Sequence, residues 1–155
     1  MTIIITGTST GIGFTLAEYF GKKGHKIFGL SRKNVESQYF TTIPTDITDN
    51  TQVQAAISDI LKTESRIDVL INNAGIMPLS PIDRLNVDEW DKMIDVNIKG
   101  VLNGVAAVLP EMTARGSGHI INIASIGALS VVPTAAVYCA TKYAVRAISD
   151  GLRQE

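Results

Sequence analysis

Apolar residues along this chain fall into two alternating rhythms. Short runs rich in Ile and Val recur at Thr2–Ile5, Lys26–Leu30, Ile67–Ile71 and His119–Ala124. Continuous runs of this kind, bounded by Gly, Asn or Ser, read as strands buried on both faces. Between them apolar residues return every three or four positions, the period of a helix with one buried side. Such stretches cover 14–23, 53–63, 88–96, 101–112 and 135 to the end. The second shows the pattern best, with Val53, Ala56, Ile57, Ile60 and Leu61 on one stripe and Asp49 or Asn50 placed to cap it. Gly24 closes the first helix, and Gly116-Ser117-Gly118 closes the one before His119. Residues 41–46 read as a weaker strand whose Pro44 suits a sheet edge. Residues 34–40 are too short for a crossover helix and predict a turn or stub, and 77–86, with Pro78 and Pro81, predict a loop. Strand and helix alternate without repeat or linker. That order predicts an α/β fold, a doubly wound parallel sheet in a single domain.

Composition narrows the function. The chain has 155 residues, 45% hydrophobic and 19% charged, which suits one domain with a real core. Its net charge is −1 and it has no basic run, so bulk charge offers nothing for nucleic acid or a membrane surface. No apolar run reaches the roughly 18 residues of a membrane span. Met1 to Gly7 lacks the charged start and long apolar core of a signal peptide. A soluble, cytoplasmic protein is the expectation. One cysteine excludes an intrachain disulfide and a cysteine-rich metal site. His25 and His119 are far apart and flank strand starts, so no metal is expected.

Candidate chemistry sits at the ends of the predicted strands. Thr6-Gly7-Thr8-Ser9-Thr10-Gly11-Ile12-Gly13 joins the first strand to the first helix. Gly7 permits a tight turn, Gly11 lets the backbone approach a pyrophosphate, and Gly13 lets the helix pack close to the sheet. Unpaired N–H groups and the helix dipole would then face phosphates. The second strand ends in Ser31-Arg32-Lys33, where an acid would hold a ribose 2′-hydroxyl. A hydroxyl followed by two cations suits a 2′-phosphate, so NADP(H) is favoured over NAD(H). Asp46 can accept from an adenine amine or serve as a turn residue. Asn72-Asn73-Ala74-Gly75 ends the fourth strand with residues small enough for a ligand to lie on the backbone. Asn97 interrupts an apolar helical stretch and needs a partner: a water relay near Lys142, or the backbone. Ser125 closes the fifth strand and can aim its hydroxyl at a bound carbonyl. Tyr138 and Lys142, four apart on the last helix, share one face. The ammonium favours the phenolate, so this pair can exchange a proton near neutral pH.

Taken in order, Thr6-Gly7-xxx-Gly11-Ile12-Gly13, Asn72-Asn73-Ala74-Gly75, Asn97, Ser125 and Tyr138-xxx-Lys142 resemble the classical short-chain dehydrogenase/reductase (SDR) family from Met1 to Glu155. The resemblance implies a Rossmann-type sheet and an oxidoreductase acting on a carbonyl/alcohol pair. It implies Tyr138 as general acid/base, Lys142 on the nicotinamide ribose, Ser125 on the substrate oxygen and Asn97 as holder of a relay water. Gly7, Ser9, Gly11, Ile12 and Gly13 would line the phosphates. Asp46, Ile47, Asn73, Ala74 and Gly75 would line the adenosine side, and Arg32 matches a cation of NADP-preferring members. Thr10 departs from members with a second basic residue in the glycine loop. The partner implied is a small-molecule carbonyl or alcohol, and in the family the last two long helices build a dimer contact. Small residues at Ala136, Ala140, Ala147 and Gly151 suit a homo-oligomer there.

Family members continue beyond this last helix into two further strands and a substrate-covering loop. The resemblance therefore implies an incomplete, truncated domain, with its C-terminal strands missing and a bare Ile-rich edge on the fifth strand. Two other readings stand beside the enzyme: a catalytically inactive dinucleotide-binding fragment or interaction module, and an extended-family epimerase or dehydratase. The latter typically carries GxxGxxG, whereas Gly7, Gly11 and Gly13 have the classical spacing.

Overall fold

The computed structural model describes residues 1–155. Five strands form one parallel sheet: β1 (Thr2–Thr6), β2 (Lys26–Ser31), β3 (Thr41–Pro44), β4 (Val69–Asn72) and β5 (His119–Asn122), in the order β3-β2-β1-β4-β5. β1 is central, pairing Ile3 with Ile27 and Val69, and Ile5 with Gly29 and Ile71. The strand order reverses at β1, so the carboxyl ends of β1 and β4 open a crevice at the switch point. β1 is buried along its whole length, as an Ile run without a polar face requires.

Alternation along β1 divides the core. Ile4 faces α2 (Asn50–Thr63) and α4 (Gly100–Arg115), packing with Val53, Ile57, Ile60, Val108 and Met112. α5 (Ala136–Gln154) lies beside α4, with Val101, Val105 and Val145 between them. Ile3 and Ile5 face the other way, toward α1 (Gly11–Lys22) and the connection carrying Val35 and Phe40. Phe14 of α1 meets Phe40 edge-on, with 5.8 Å between ring centroids. Residues 34–40 hold no helix, and Phe40 instead fills the gap that a crossover helix would cover. β3 takes the edge, as Pro44 suggests, and Asp49 caps α2 by accepting from Thr51 and Gln52 N–H at 2.9 and 3.2 Å.

Several boundaries differ from the pattern-based expectation. α1 begins at Gly11 rather than Phe14. β4 and β5 are shorter than their apolar runs, and Ile67 packs in the core before its ladder begins. At Asn97-Ile98-Lys99-Gly100, where the pattern leaves little break, a π turn over Asp95–Lys99 joins α3 (Val87–Ile94) to α4 without interruption. Gly100 acts there as a contact point rather than a terminator, since a Cβ would strike the Ile47 side chain. The joined run, Val87–Arg115, is 29 residues long and passes for a membrane span by length and mean composition, although charged and amide residues interrupt it. Its apolar side is used within the domain, where Val101, Val105, Val108 and Met112 are buried. β5 pairs with β4 alone, and its Ile120 and Ile121 lie half-buried at the far edge.

Candidate active site

At the crevice, β1 turns through Gly7 at φ +75°, and a Cβ there would sit 2.8 Å from Ala74 Cα. Gly13 is equally constrained, because a Cβ would collide with Gly7 O and the Asn73 amide. The glycine turn and the segment after β4 are therefore pressed together, and hydrogen bonds lock them. Thr6 Oγ1 accepts from Asn73 and Ala74 N–H at 3.1 and 3.0 Å, and Asn73 Nδ2 donates to Thr6 O at 2.9 Å. Thr10, extended before α1, makes no side-chain cap. The start of α1 is thus left without the partner that Asp49 gives α2.

The crevice is a cleft of about 560 Å³. Gly7, Ser9, Ile12, Ser31, Arg32, Asp46, Ile47, Asn73, Ala74 and Gly75 line it. Gly11 and Gly13 do not: Gly13 is the buried packing point, and Gly11, at φ +63°, has open space where its Cβ would be. Two polar side chains are partly engaged. Ser31 Oγ donates to Lys33 O at 2.7 Å, so its proton is directed away from the cleft and Arg32 is left as the adjacent cation. Asp46 Oδ1 accepts from Thr48 N–H and Oγ–H at 3.0 and 2.8 Å, a turn role that leaves Oδ2. Lys92, Asp95 and Val96 also line the cleft from the joined helix and were not anticipated. Their spacing of three and four, on one helical face, is the signal that could have found them.

Asn97 and Lys142 meet at Gly75, at the end of the cleft: a Cβ on Gly75 would stand 3.3 Å from Asn97 Oδ1 and 3.6 Å from Lys142 Nζ. Asn97 is 1% exposed and fully engaged. Its Oδ1 accepts from Ile76 N–H, and its Nδ2 donates to Ile76 O and Thr141 Oγ1, at 2.9, 2.9 and 3.1 Å. Of the two partners expected for this amide, the backbone is the one observed. Lys142 is 6% exposed and donates to Ile123 O at 2.8 Å, with no carboxylate in salt-bridge range. Burial lowers its pKa from the ordinary lysine value. Its Nζ lies 5.9 Å from the centroid of the Tyr138 ring. Ser125 begins a 3-10 turn (Ile126–Ala128), and its Oγ accepts from Gly127 N–H at 3.1 Å. Ser125 Oγ and Tyr138 Cε1 both border the space above Gly127.

A half-buried ladder behind these groups was not legible in the sequence. Asn72 Nδ2 donates to Asn122 Oδ1, Asn122 Nδ2 to Ser149 Oγ, and Ser149 Oγ–H to Val145 O, at 2.9, 2.9 and 2.8 Å. It ties β4, β5 and α5 together one residue before the carbonyl that receives Lys142. Asn72 Oδ1 is buried without a partner and occupies the place where a Cβ of Gly104 would be.

This topology, with a ligand-sized crevice at the reversal of strand order, defines a Rossmann-type α/β domain. More narrowly, the family model described as short chain dehydrogenase matches residues 1–155, and the chain belongs to that family. An uncharacterized oxidoreductase of Staphylococcus saprophyticus is 48% identical over 99% of this chain, which spans 66% of that protein. The chain thus covers about two thirds of such a relative. Among solved structures, serine dehydrogenase from Escherichia coli superposes with a TM-score of 0.94 at 31% identity, covering 99% of this chain and 76% of that one. A gluconate 5-dehydrogenase from Burkholderia cenocepacia, in complex with NADP and tartrate, superposes at 0.90 with 36% identity, covering 97% and 64%.

Proposed function

We propose that this chain is the nucleotide-binding and proton-transfer part of a cytoplasmic oxidoreductase that interconverts a small carbonyl compound and its alcohol with NADP(H). The observation that carries this reading is the meeting of Asn97, Lys142 and Gly75 at the end of the cleft. The residues present fit a dinucleotide. The uncapped start of α1, with Gly7, Ser9 and Ile12 lining the cleft beside it, suits a pyrophosphate. Arg32 beside the cleft suits a 2′-phosphate, and the NADP in the Burkholderia neighbour supports the same preference. When bound, the nicotinamide supplies or accepts the hydride.

The chain's own side chains then handle the proton. Ser125 Oγ already accepts from Gly127 N–H, so its own hydrogen is free to be donated to a substrate oxygen. Tyr138 gives its phenolic proton to that oxygen in reduction and takes one in oxidation. Lys142 keeps two N–H donors for ribose hydroxyls after bonding Ile123 O. Asn97, its amide taken up by Ile76 and Thr141, braces the segment after β4 beside Lys142. A homo-oligomer through α4 and α5 accords with exposed Leu102, Leu109 and Tyr143.

Fluorescence titration with NADPH and NADH tests the cofactor. NADPH should bind more tightly; tighter NADH binding defeats the Arg32 argument, and binding of neither favours an inert fragment. Tyr138→Phe should lower turnover about 10³-fold with cofactor affinity kept, within the usual range for loss of a general acid. Wild-type turnover in that variant would refute the role given to Tyr138.

A further inference from the structure

The segments that border Ser125 and Tyr138 carry no charge. The loop after β4 runs Gly75-Ile76-Met77-Pro78-Leu79-Ser80-Pro81-Ile82, and the connection after β5 covers residues 125–137; neither holds an Asp, Glu, Lys, Arg or His. The two segments meet beside the reacting groups. Ser80 N–H donates to Thr134 O at 3.0 Å. Pro78, Ser80 and Ile82 share a cavity of about 10 Å³ with Thr134 and Tyr138, so the first loop reaches the Tyr138 side of α5. Ser125 opens the second segment, and its Oγ borders the space at Gly127 together with Tyr138 Cε1. Large apolar side chains on both segments stand toward solvent. Met77 and Leu79 on the first, and Ile126, Leu129, Val131 and Val132 on the second, are each more than half exposed.

The charges nearest this surface are engaged or set apart. Lys142 donates to Ile123 O at 2.8 Å, and its remaining donors belong, in the reading above, to the ribose. Arg146 lies two turns beyond Tyr138 along α5 and donates to Ala128 O at 3.4 Å. Asp83 and Arg84 follow the first loop in a 3-10 turn (Ile82–Arg84) and do not line the cavity beside Tyr138. A carboxylate or phosphate on the substrate would therefore lose its water with no cation to receive it. A hydrocarbon body instead gains about fourfold in affinity for each methylene it buries. We propose that the substrate is an uncharged, apolar ketone or aldehyde. Its hydrocarbon part lies against Met77, Leu79 and residues 126–132 while its oxygen meets Ser125 and Tyr138. The inference rests on the roles given to those two residues above, and it adds the chemical class of their substrate.

The test offers the full chain two ketones of like shape, 4-methylcyclohexanone and 4-oxocyclohexanecarboxylate. Methyl NMR in the presence of NADP+, which cannot reduce a ketone, reads binding, and NADPH oxidation reads kcat/KM. The neutral ketone should shift the methyls of Met77, Leu79, Ile126, Leu129 and Val131. It should bind about 10²-fold or more tightly than the carboxylate, with the same order in kcat/KM, because a desolvated carboxylate finds no partner there. Val131→Lys, at an exposed position, should narrow that ratio about tenfold by supplying the missing cation. Equal or tighter binding of the carboxylate overturns the proposal. So does a neutral ketone that leaves those methyls unmoved, or a ratio unchanged in Val131→Lys. Shifts of the same methyls on dilution without ketone would assign the surface to contact between copies of the chain, and equally overturn it. If the neutral ketone binds at these methyls but is not reduced, or is reduced equally well by Tyr138→Phe, the proton-transfer reading is what fails, and the apolar class of ligand stands.

Discussion

At the glycine-turn end of the crevice the surface is backbone. Gly7 and Gly11 turn through positive φ, Thr10 leaves α1 uncapped, and the lining is partly open. At the Tyr138 end the surface is side chain. Asn97, Thr141 and Lys142 are buried and bonded to Ile76, Tyr138 and Ile123. The first end works by leaving N–H groups unpaired, and the second by pairing nearly every group and sparing a few protons. A backbone site is broken by adding atoms, whereas a side-chain site is broken by taking them away. Substitutions of opposite kind should therefore separate the two.

Taking atoms away should have the largest effect. Lys142→Met keeps the bulk of the side chain and removes its charge, so turnover should fall about 10²- to 10³-fold, the range seen when one preorganised donor is lost. The same variant should be at least as stable as the wild type at neutral pH, because a desolvated ammonium is removed. The sign of the pH dependence follows from burial lowering the folded pKa. Above that lowered value the unfolded chain holds a proton that the folded chain has released, so stability rises with pH until the ordinary lysine value of about 10.4. Denaturant melts from neutral to alkaline pH should show that rise in the wild type and lose it in Lys142→Met. An identical rise in both would refute the assignment.

Adding atoms at the other end should come next. Gly13→Val drives a side chain into Gly7 O and the Asn73 amide, and overpacking of this kind costs roughly 1–3 kcal/mol. NADPH affinity should fall at least about tenfold, since the turn can no longer close on the segment after β4; each tenfold corresponds to about 1.4 kcal/mol. Calorimetric titration reads the affinity and a urea melt the stability. Arg32→Ala should be milder, reducing the preference for NADPH over NADH about tenfold through loss of one charge-assisted bond, with NADH affinity unchanged. Equal loss for both nucleotides would place Arg32 away from the 2′-phosphate. Smallest should be Asp49→Ala, which uncaps α2 far from the chemistry. It should lower the melting temperature slightly and leave NADPH affinity alone. Hydrogen bonds from the Gln52 backbone, the Gln52 side chain and the Thr51 backbone hold the Asp49 carboxyl below its usual range. The cap's contribution is therefore present above the ordinary aspartate value and lost as pH falls through the lowered folded one. Melts from mildly acidic to strongly acidic pH should show the loss in the wild type and not in Asp49→Ala.

Much of this was legible because it is local. The β1 run, the glycine turn, the Asp49 cap, the edge position of Pro44 and the Tyr138/Lys142 face follow from periods of two and 3.6 and from glycine's missing Cβ. The near-continuity of α3 and α4 was legible, but the π turn at Asp95–Lys99 that joins them, and the partners Ile76 and Thr141 that Asn97 finds there, were not. Ser31 shows the reverse case, a suitable residue type whose proton turned out to be directed at Lys33 O.

The sequence by itself determined the alternation of strand and helix and the place of the glycine turn between β1 and α1. These depend on neighbours within one turn or one pleat. Only the tertiary structure decided which distant residues meet. Asn97 reaches Thr141 across 44 positions and Asn73 reaches Thr6 across 67, and neither pairing has a sequence period that could announce it. The physical reason is the parallel sheet, which brings the ends of β1, β4 and β5 together only after each crossover has closed.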